Sequence, residues 1–185
     1  MAAMATAELT LTERAIQASS ASAAYLDHFS SADRVCVPVF RHEAPAIGKR
    51  RYYSRGQYYA VEWQDYGQPL PGWFDPLMQG FIDVLTLPCK WDSYEAGTID
   101  PRIVHEAMNF MNTVLAATSP APRVVPLSSG GVQLEWHRKG MDLEVVFDAG
   151  DRPFFYRRNR ESGEESEHPL PEDSALLQSM IGTLE

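Results

Sequence analysis

The stretch from Gly130 to Asp148, GGVQLEWHRKGMDLEVVFD, constrains the fold more than any other part of the chain. Val132, Leu134 and Trp136 are apolar and alternate with Gln133, Glu135 and His137. After Lys139-Gly140, Leu143, Val145 and Phe147 are apolar, with Asp142 and Glu144 between them. A period of two means extended backbone with one buried and one outward face. A two-residue Lys-Gly connection lets glycine take the positive φ that tight hairpin turns require. The predicted register sets Arg138 opposite Met141, Trp136 opposite Leu143, Leu134 opposite Val145 and Val132 opposite Phe147. A slip by one residue would break every one of these apolar pairings.

The same register has a cost on the outward face. Glu135 falls opposite Glu144, and His137 opposite Asp142. Like charges directly across a ladder destabilise it by up to about 1 kcal/mol. Either water screens two exposed carboxylates, or something compensates: a cation, a basic partner, or Lys and Arg residues from elsewhere in the chain. Gln133, Glu135, His137, Asp142 and Glu144 are therefore the predicted partner-binding strip.

A chain of 185 residues is one domain, or one domain with an appendage. A net charge of −9 speaks against nonspecific binding to a phosphate backbone and is compatible with a basic partner surface. The two cysteines, Cys36 and Cys89, form no C-x-x-C pair, which fits reduced, cytoplasmic usage. Lys90 beside Cys89 would lower a thiol pKa, but both cysteines are expected to be buried and inert. No run of 18 apolar residues predicts a membrane span, and the first residues lack the basic and apolar regions of a signal peptide.

Along the chain, Thr10-Leu11-Thr12-Glu13 fits a capping box, with a sparse helix expected from Leu11 to about Phe29. Arg34 to Phe40 reads as a strand, with Pro38 marking an edge or bulge, followed by a polar loop over HEAPAIGKRR. Tyr52-Tyr53 and Tyr58 to Trp63 read as a second hairpin around Ser54-Arg55-Gly56-Gln57. The apolar stripe from Trp73 to Leu87 predicts a helix, and Trp91 to Gly97 an aromatic loop. Asp100-Pro101 opens a helix to Ala117, which Pro120-Ala121-Pro122 should stop. Arg123 to Leu127 and Arg152 to Arg158 read as strands flanking the central hairpin. Glu161-Ser162-Gly163 serves as a loop with Gly163 left-handed, so that Glu164 to His168 returns with Arg160 by Glu164 and Arg157 by Glu167. Pro171-Glu172-Asp173 opens a C-terminal helix carrying Leu176, Leu177, Met180 and Ile181.

The expected fold is α+β: an antiparallel β-meander packed on helices in a two-layer sandwich, with an N-terminal α/β elaboration. The expected organisation is an N-terminal part over residues 1–89, whether separate or in the same domain, and a helix–meander–helix module over residues 90–185.

The order Trp91-Asp92-Ser93-Tyr94-Glu95-Ala96, Asp100-Pro101, Pro120-Ala121-Pro122, Gly130-Gly131-Val132-Gln133-Leu134-Glu135-Trp136 and Leu143-Glu144-Val145 resembles a group of small uncharacterised bacterial proteins. That group carries W-D-G-Y-x-A followed by G-G-I/V-Q-L-E-W, and the similarity spans roughly residues 90–168. The resemblance implies a bacterial origin and a shared module, and it carries over no catalytic residue. Ser93 stands where the group has glycine, which bears on the backbone conformation of the loop.

No catalytic motif emerges from the residues. His105-Glu106 is followed at the fourth position after His105 by Asn109, so the paired histidines of zinc proteases are missing. Ser93, Ser128 and Ser129 have no G-x-S-x-G context. Neither a cofactor nor a metal site is predicted. The expected function is a non-enzymatic bacterial protein-binding module, with accessory roles in toxin–antitoxin, immunity or phage-defence systems as the associated class. A metal- or carboxylate-dependent hydrolase using the Glu135/Glu144 face is the alternative. The second alternative is nucleic-acid binding through the loop carrying Lys49, Arg50, Arg51 and Arg55, interleaved with tyrosines.

Overall fold

Alternating strands that bury one face need a second layer, and the amphipathic helices supply it. The computed structural model describes residues 10–12, 46–65 and 69–185. Its elements run β1 (Thr10–Thr12), β2 (Ala46–Ser54), β3 (Gln57–Asp65), α1 (Phe74–Leu85), α2 (Pro101–Val114), β4 (Arg123–Pro126), β5 (Val132–Arg138), β6 (Met141–Phe147), β7 (Phe154–Asn159), β8 (Glu165–Pro169) and α3 (Ser174–Thr183). Strands β4 to β8 form a five-stranded antiparallel meander in sequence order, and β1, β3 and β2 form a second sheet in the order β1-β3-β2. The fold is α+β, with the meander packed on helices.

The central hairpin has the register its alternation predicts, from Val132 opposite Phe147 to Arg138 opposite Met141. Lys139 and Gly140 make the turn at φ 50° and 76°, both left-handed, as a two-residue turn of matching twist requires. Val132, Leu134, Trp136, Leu143, Val145, Phe147 and Phe155 are buried on the inner face. Against them lie Ile103, Val104, Ala107, Met108 and Met111 of α2. Asp100 caps α2 by accepting from the Arg102 N–H at 2.8 Å, with Pro101 following it, as the sequence predicts. The helix nevertheless ends at Val114, before the Pro120-Ala121-Pro122 run reaches it. Two indoles hold the segment that follows: Trp73 Nε1 donates to the Ala116 carbonyl at 2.8 Å, and Trp136 Nε1 donates to the Pro120 carbonyl at 2.9 Å.

The stripe of α1 buries Phe74, Leu77, Met78, Phe81, Ile82 and Val84 into the same core. Gly80 lets β4 approach, since a Cβ there would stand 2.6 Å from the Val124 side chain. The second hairpin lies against the other side of α1. Tyr52 and Tyr59 are buried, Tyr52 Oη donates to Asp75 at 2.7 Å, and burial pushes the Tyr52 phenol up to about 12.

Several expectations are corrected. Thr10–Thr12 is a strand paired with β3, so Thr10 is no helix cap; the remainder of the predicted N-terminal helix and the Arg34–Phe40 strand lie outside the described residues. Residues 46–51 of the expected polar loop belong to β2, because the ladder with β3 extends out to Ala46 opposite Asp65. Cys89 is exposed in the connection between α1 and α2, whereas Cys36 lies outside the described residues. Leu176 faces outward, while Leu177 and Ile181 are the buried residues of α3.

The β7–β8 pairing is also shifted by one residue. Arg157 stands opposite Ser166, Arg158 opposite Glu165 and Tyr156 opposite Glu167. The loop holds four residues rather than three. Asn159 N donates to the Glu164 carbonyl at 2.9 Å and Gly163 N to the Asn159 carbonyl at 2.8 Å, with Gly163 left-handed at φ 73°. Opposite charges still meet, through different partners: Arg157 with Glu164, and Arg158 with Glu165 at 3.3 Å.

Candidate functional site

Because α1 and α2 cover the inner face of the meander, the alternate residues of its strands turn to the other side. Gln133, Glu135 and His137 of β5 share that side with Asp142 and Glu144 of β6, and all five residues of the predicted strip are brought together. The register sets Glu135 opposite Glu144. Gln133 resolves part of that conflict, since its Nε2 donates to Glu135 Oε1 at 3.0 Å and to Glu144 Oε2 at 2.9 Å. One amide thus bridges two like charges.

His137 sits between two carboxylates. Its Nδ1 lies 2.6 Å from Asp142 Oδ1 and its Nε2 lies 3.2 Å from Glu135 Oε2. Ionised carboxylates only accept, so both ring nitrogens are satisfied when both carry protons. The hydrogen bond to Asp142 accordingly holds the His137 pKa above its ordinary value, against a smaller lowering by burial.

The residue that sequence reasoning missed is Arg160. It was expected beside Glu164, but its backbone N–H donates to the Gly140 carbonyl at 2.8 Å, which ties the β7–β8 loop to the β5–β6 turn. That contact carries the guanidinium to Asp142. Arg160 Nε is 2.9 Å from each carboxylate oxygen, and Nη2 also donates to Oδ1. The Arg160 hydrogen bond, assisted by His137, holds the Asp142 carboxyl down at about 2. Glu144 moves the other way, raised first by burial and then by the charge of Glu135. Within this hydrogen-bonded cluster Asp142 has the Arg160 guanidinium, Glu135 and Asp142 share His137, and Glu144 has only the Gln133 amide. No local signal could have found Arg160, since it stands 18 residues from Asp142.

Around the cluster, Val125, Val146, Phe154 and Tyr156 are half-buried, and the register places them on the same outward side. Among the described residues, no group of three or more His, Cys, Asp or Glu side chains is arranged to hold a metal ion. No helix among them is long and apolar enough to cross a membrane.

The basic residues form a separate surface. Lys49, Arg50 and Arg51 lie on strand β2 rather than in a loop, and Arg55 is in the β2–β3 turn. Arg50 is turned toward α1, where it pairs with Asp75. Lys49, Arg51 and Tyr53 alternate along the other side of β2, and Tyr53 stands against Tyr58 with ring centroids 5.0 Å apart. Both tyrosines are 57% exposed.

Each position of the G-G-V-Q-L-E-W stretch has a structural role. Gly130 has φ 97°, and its carbonyl accepts from Asp100 N at 2.9 Å, which joins the hairpin to the start of α2. At Gly131 a Cβ would lie 2.4 Å from the Phe147 carbonyl oxygen. Val132, Leu134 and Trp136 enter the core, while Gln133 and Glu135 build the outward cluster. In the Trp91–Ala96 loop, Asp92 Oδ1 accepts from Tyr94 N at 2.9 Å and Ala96 N at 3.3 Å. Ser93 adopts φ 68°, the left-handed conformation that glycine takes without strain. Comparison with known protein families, with curated proteins and with solved structures finds no match to this chain.

Proposed function

We propose that this chain is a protein-binding module that docks a basic surface on the outward face of its five-stranded sheet. The observation that carries this reading is the Glu135–Glu144 pair. The two carboxylates stand opposite each other and are bridged by Gln133; Glu135 also contacts His137 and has Arg123 of β4 as its other cross-strand neighbour, whereas the described residues show no ion pair for Glu144. An arginine or lysine from a partner, placed between them, would remove the repulsion that adds to burial in raising Glu144. Half-buried Val125, Val146 and Phe154 beside the acidic pair offer apolar contact area around that charge.

Affinity purification with tagged wild type and tagged Glu135→Gln/Glu144→Gln tests this. The expected result is a stoichiometric partner that binds wild type, is released near 0.5 M salt, where the Debye length falls to roughly 4 Å, and is missing from the double variant. Identical captures by the two proteins, or none by wild type, would refute it.

A second reading rests on a different surface. Exposed Tyr53 and Tyr58 with Arg51 and Arg55 offer stacking and charge to a single-stranded nucleic acid. Fluorescence anisotropy with a labelled oligonucleotide tests it. Affinity that falls with salt and with Tyr53→Ala/Tyr58→Ala supports it, and salt-independent or absent binding dismisses it.

A further inference from the structure

β8, the end strand of the meander among the described residues, carries a second polar constellation, on the inner face of the sheet rather than the outward one. Ser166 and His168 are two residues apart on β8, so both project to one side. The register sets Ser166 opposite Arg157 and His168 opposite Phe155. His168 Nε2 lies 3.0 Å from Ser166 Oγ, and His168 Nδ1 lies 3.2 Å from Asp173 Oδ2. The imidazole stacks on Phe155, with centroids 4.8 Å apart and planes at 16°, which fixes the plane of the ring. Asp173 stands at the N-cap of α3, yet its side chain caps no helix N–H. Its carboxylate faces the histidine instead.

The protons of this chain of groups follow from chemistry. An ionised carboxylate only accepts, so His168 Nδ1 carries a hydrogen. A neutral imidazole then has its lone pair on Nε2, and the Ser166 hydroxyl is the donor to it. Arg157 Nε donates to Ser166 Oγ at 2.7 Å, which leaves the hydroxyl hydrogen for the histidine and places a positive charge beside the oxygen. Nucleophile, base and orienting carboxylate are thus in hydrogen-bond reach of one another. The edge position keeps them accessible: the side chains of Arg157, His168 and Asp173 are 23%, 25% and 39% exposed.

We infer that Ser166 is an activated nucleophile, with His168 as its general base and Asp173 as the positioning residue, and that it accepts acyl esters whose carbonyl oxygen meets the Arg157 guanidinium. In the first half-reaction Ser166 Oγ bonds to the carbonyl carbon while its proton passes to His168 Nε2. The ester C–O bond then breaks, and the departing alkoxide takes that proton as an alcohol. In the second half-reaction water gives its proton to Nε2 and its oxygen to the acyl carbon, and Ser166 recovers the proton as the acid leaves. This site shares no residue with the docking face and does not rest on it.

The test uses the full chain with a fluorophosphonate, which loses fluoride as Oγ bonds to phosphorus, and follows p-nitrophenyl acetate hydrolysis in parallel. Intact and peptide mass spectrometry should find one adduct, on Ser166, and none in Ser166→Ala. His168→Gln should slow labelling and hydrolysis by about 100-fold or more, with near-UV circular dichroism confirming the fold of each variant. The groups facing the imidazole are Asp173, Ser166 and Phe155, with Arg157 beyond the serine and Glu164 beyond Arg157. Asp173→Ala should therefore slow labelling and Asp173→Glu should restore most of the rate; labelling at the wild-type rate in Asp173→Ala removes Asp173 from the assignment. Absence of a Ser166 adduct on the folded protein, or labelling that His168→Gln leaves at the wild-type rate, overturns the inference.

Discussion

The two hairpins of this protein are built alike and end up differently. Each turns on a basic residue followed by glycine, Arg55-Gly56 or Lys139-Gly140, with both residues at positive φ. Each buries one face against helices and turns the other outward. On β5–β6 the outward residues are acidic and locked into a hydrogen-bonded cluster, whereas on β2–β3 they are basic and aromatic, with two tyrosines more than half exposed. On β5–β6 the outward residues are held from above, since Arg160 of the β7–β8 loop reaches Asp142 and Gln133 spans the two glutamates. Tyr53 and Tyr58 face each other across the β2–β3 ladder and stay exposed, although β3 pairs with both β1 and β2. A side chain that reaches over the strand, and not the strand's place in the sheet, decides whether an outward residue is held.

The largest expected contrast comes from the core side. Trp136→Ala removes a fully buried indole and its bond to the Pro120 carbonyl, and urea unfolding should show a loss of about 3–5 kcal/mol. Tyr53→Ala on the outward side of the other hairpin should cost less than about 1 kcal/mol. Equal losses would break the comparison.

Glycine sharpens it further. Gly131→Ala forces a Cβ to 2.4 Å from the Phe147 carbonyl oxygen and should cost about 2–3 kcal/mol by the same measurement. Gly56→Ala meets nothing within 4 Å and suffers only the left-handed backbone, about 1 kcal/mol.

Arg160→Ala probes the locked cluster and acts in acid. Asp142 is held at about 2, below its unfolded value, so its contribution is present above the ordinary carboxylate pKa and is lost as pH falls from there toward 2. In the variant that acid slope of the unfolding free energy should flatten, and the Asp142 titration followed by NMR should move up. An unchanged slope would show that the interior-strand cluster is not held from the β7–β8 loop.

The smallest effect is at Glu144. Its raised pKa means that the stability tied to its protonated form is complete below the ordinary value and is lost as pH rises through the raised one. Glu144→Gln should therefore be more stable than wild type at neutral pH, by about 0.5 kcal/mol, and equal to it in strong acid. Destabilisation at neutral pH would contradict the like-charge account.

How much of this was legible in the sequence varies with distance along the chain. Trp136 opposite Leu143 and Glu135 opposite Glu144 were readable, because a two-residue turn leaves one register in which all apolar partners agree. The β7–β8 register was not, because loops of three and four residues both suit Gly163, and β8 offers no apolar row to choose between them. Thr10-Leu11-Thr12 carries a cap signal and a β-prone composition at once, and pairing with β3 decided for the strand. The Ser166–His168–Asp173 alignment had one local trace, a serine and a histidine two apart on a predicted strand. Its third member depends on how Pro169 to Asp173 returns toward the sheet.

Taken by itself, the amino-acid order determined which side chains of β5 and β6 go inward, where their turn falls, and that α2 begins at Asp100-Pro101. These are consequences of backbone geometry within a few residues. Only the tertiary structure decided that Arg160 answers Asp142, that Gln133 spans the two glutamates, and that β3 pairs with both β1 and β2. Alternation is a property of an extended strand wherever it lies, whereas lateral partners depend on strand order and loop closure, which join residues far apart in the chain.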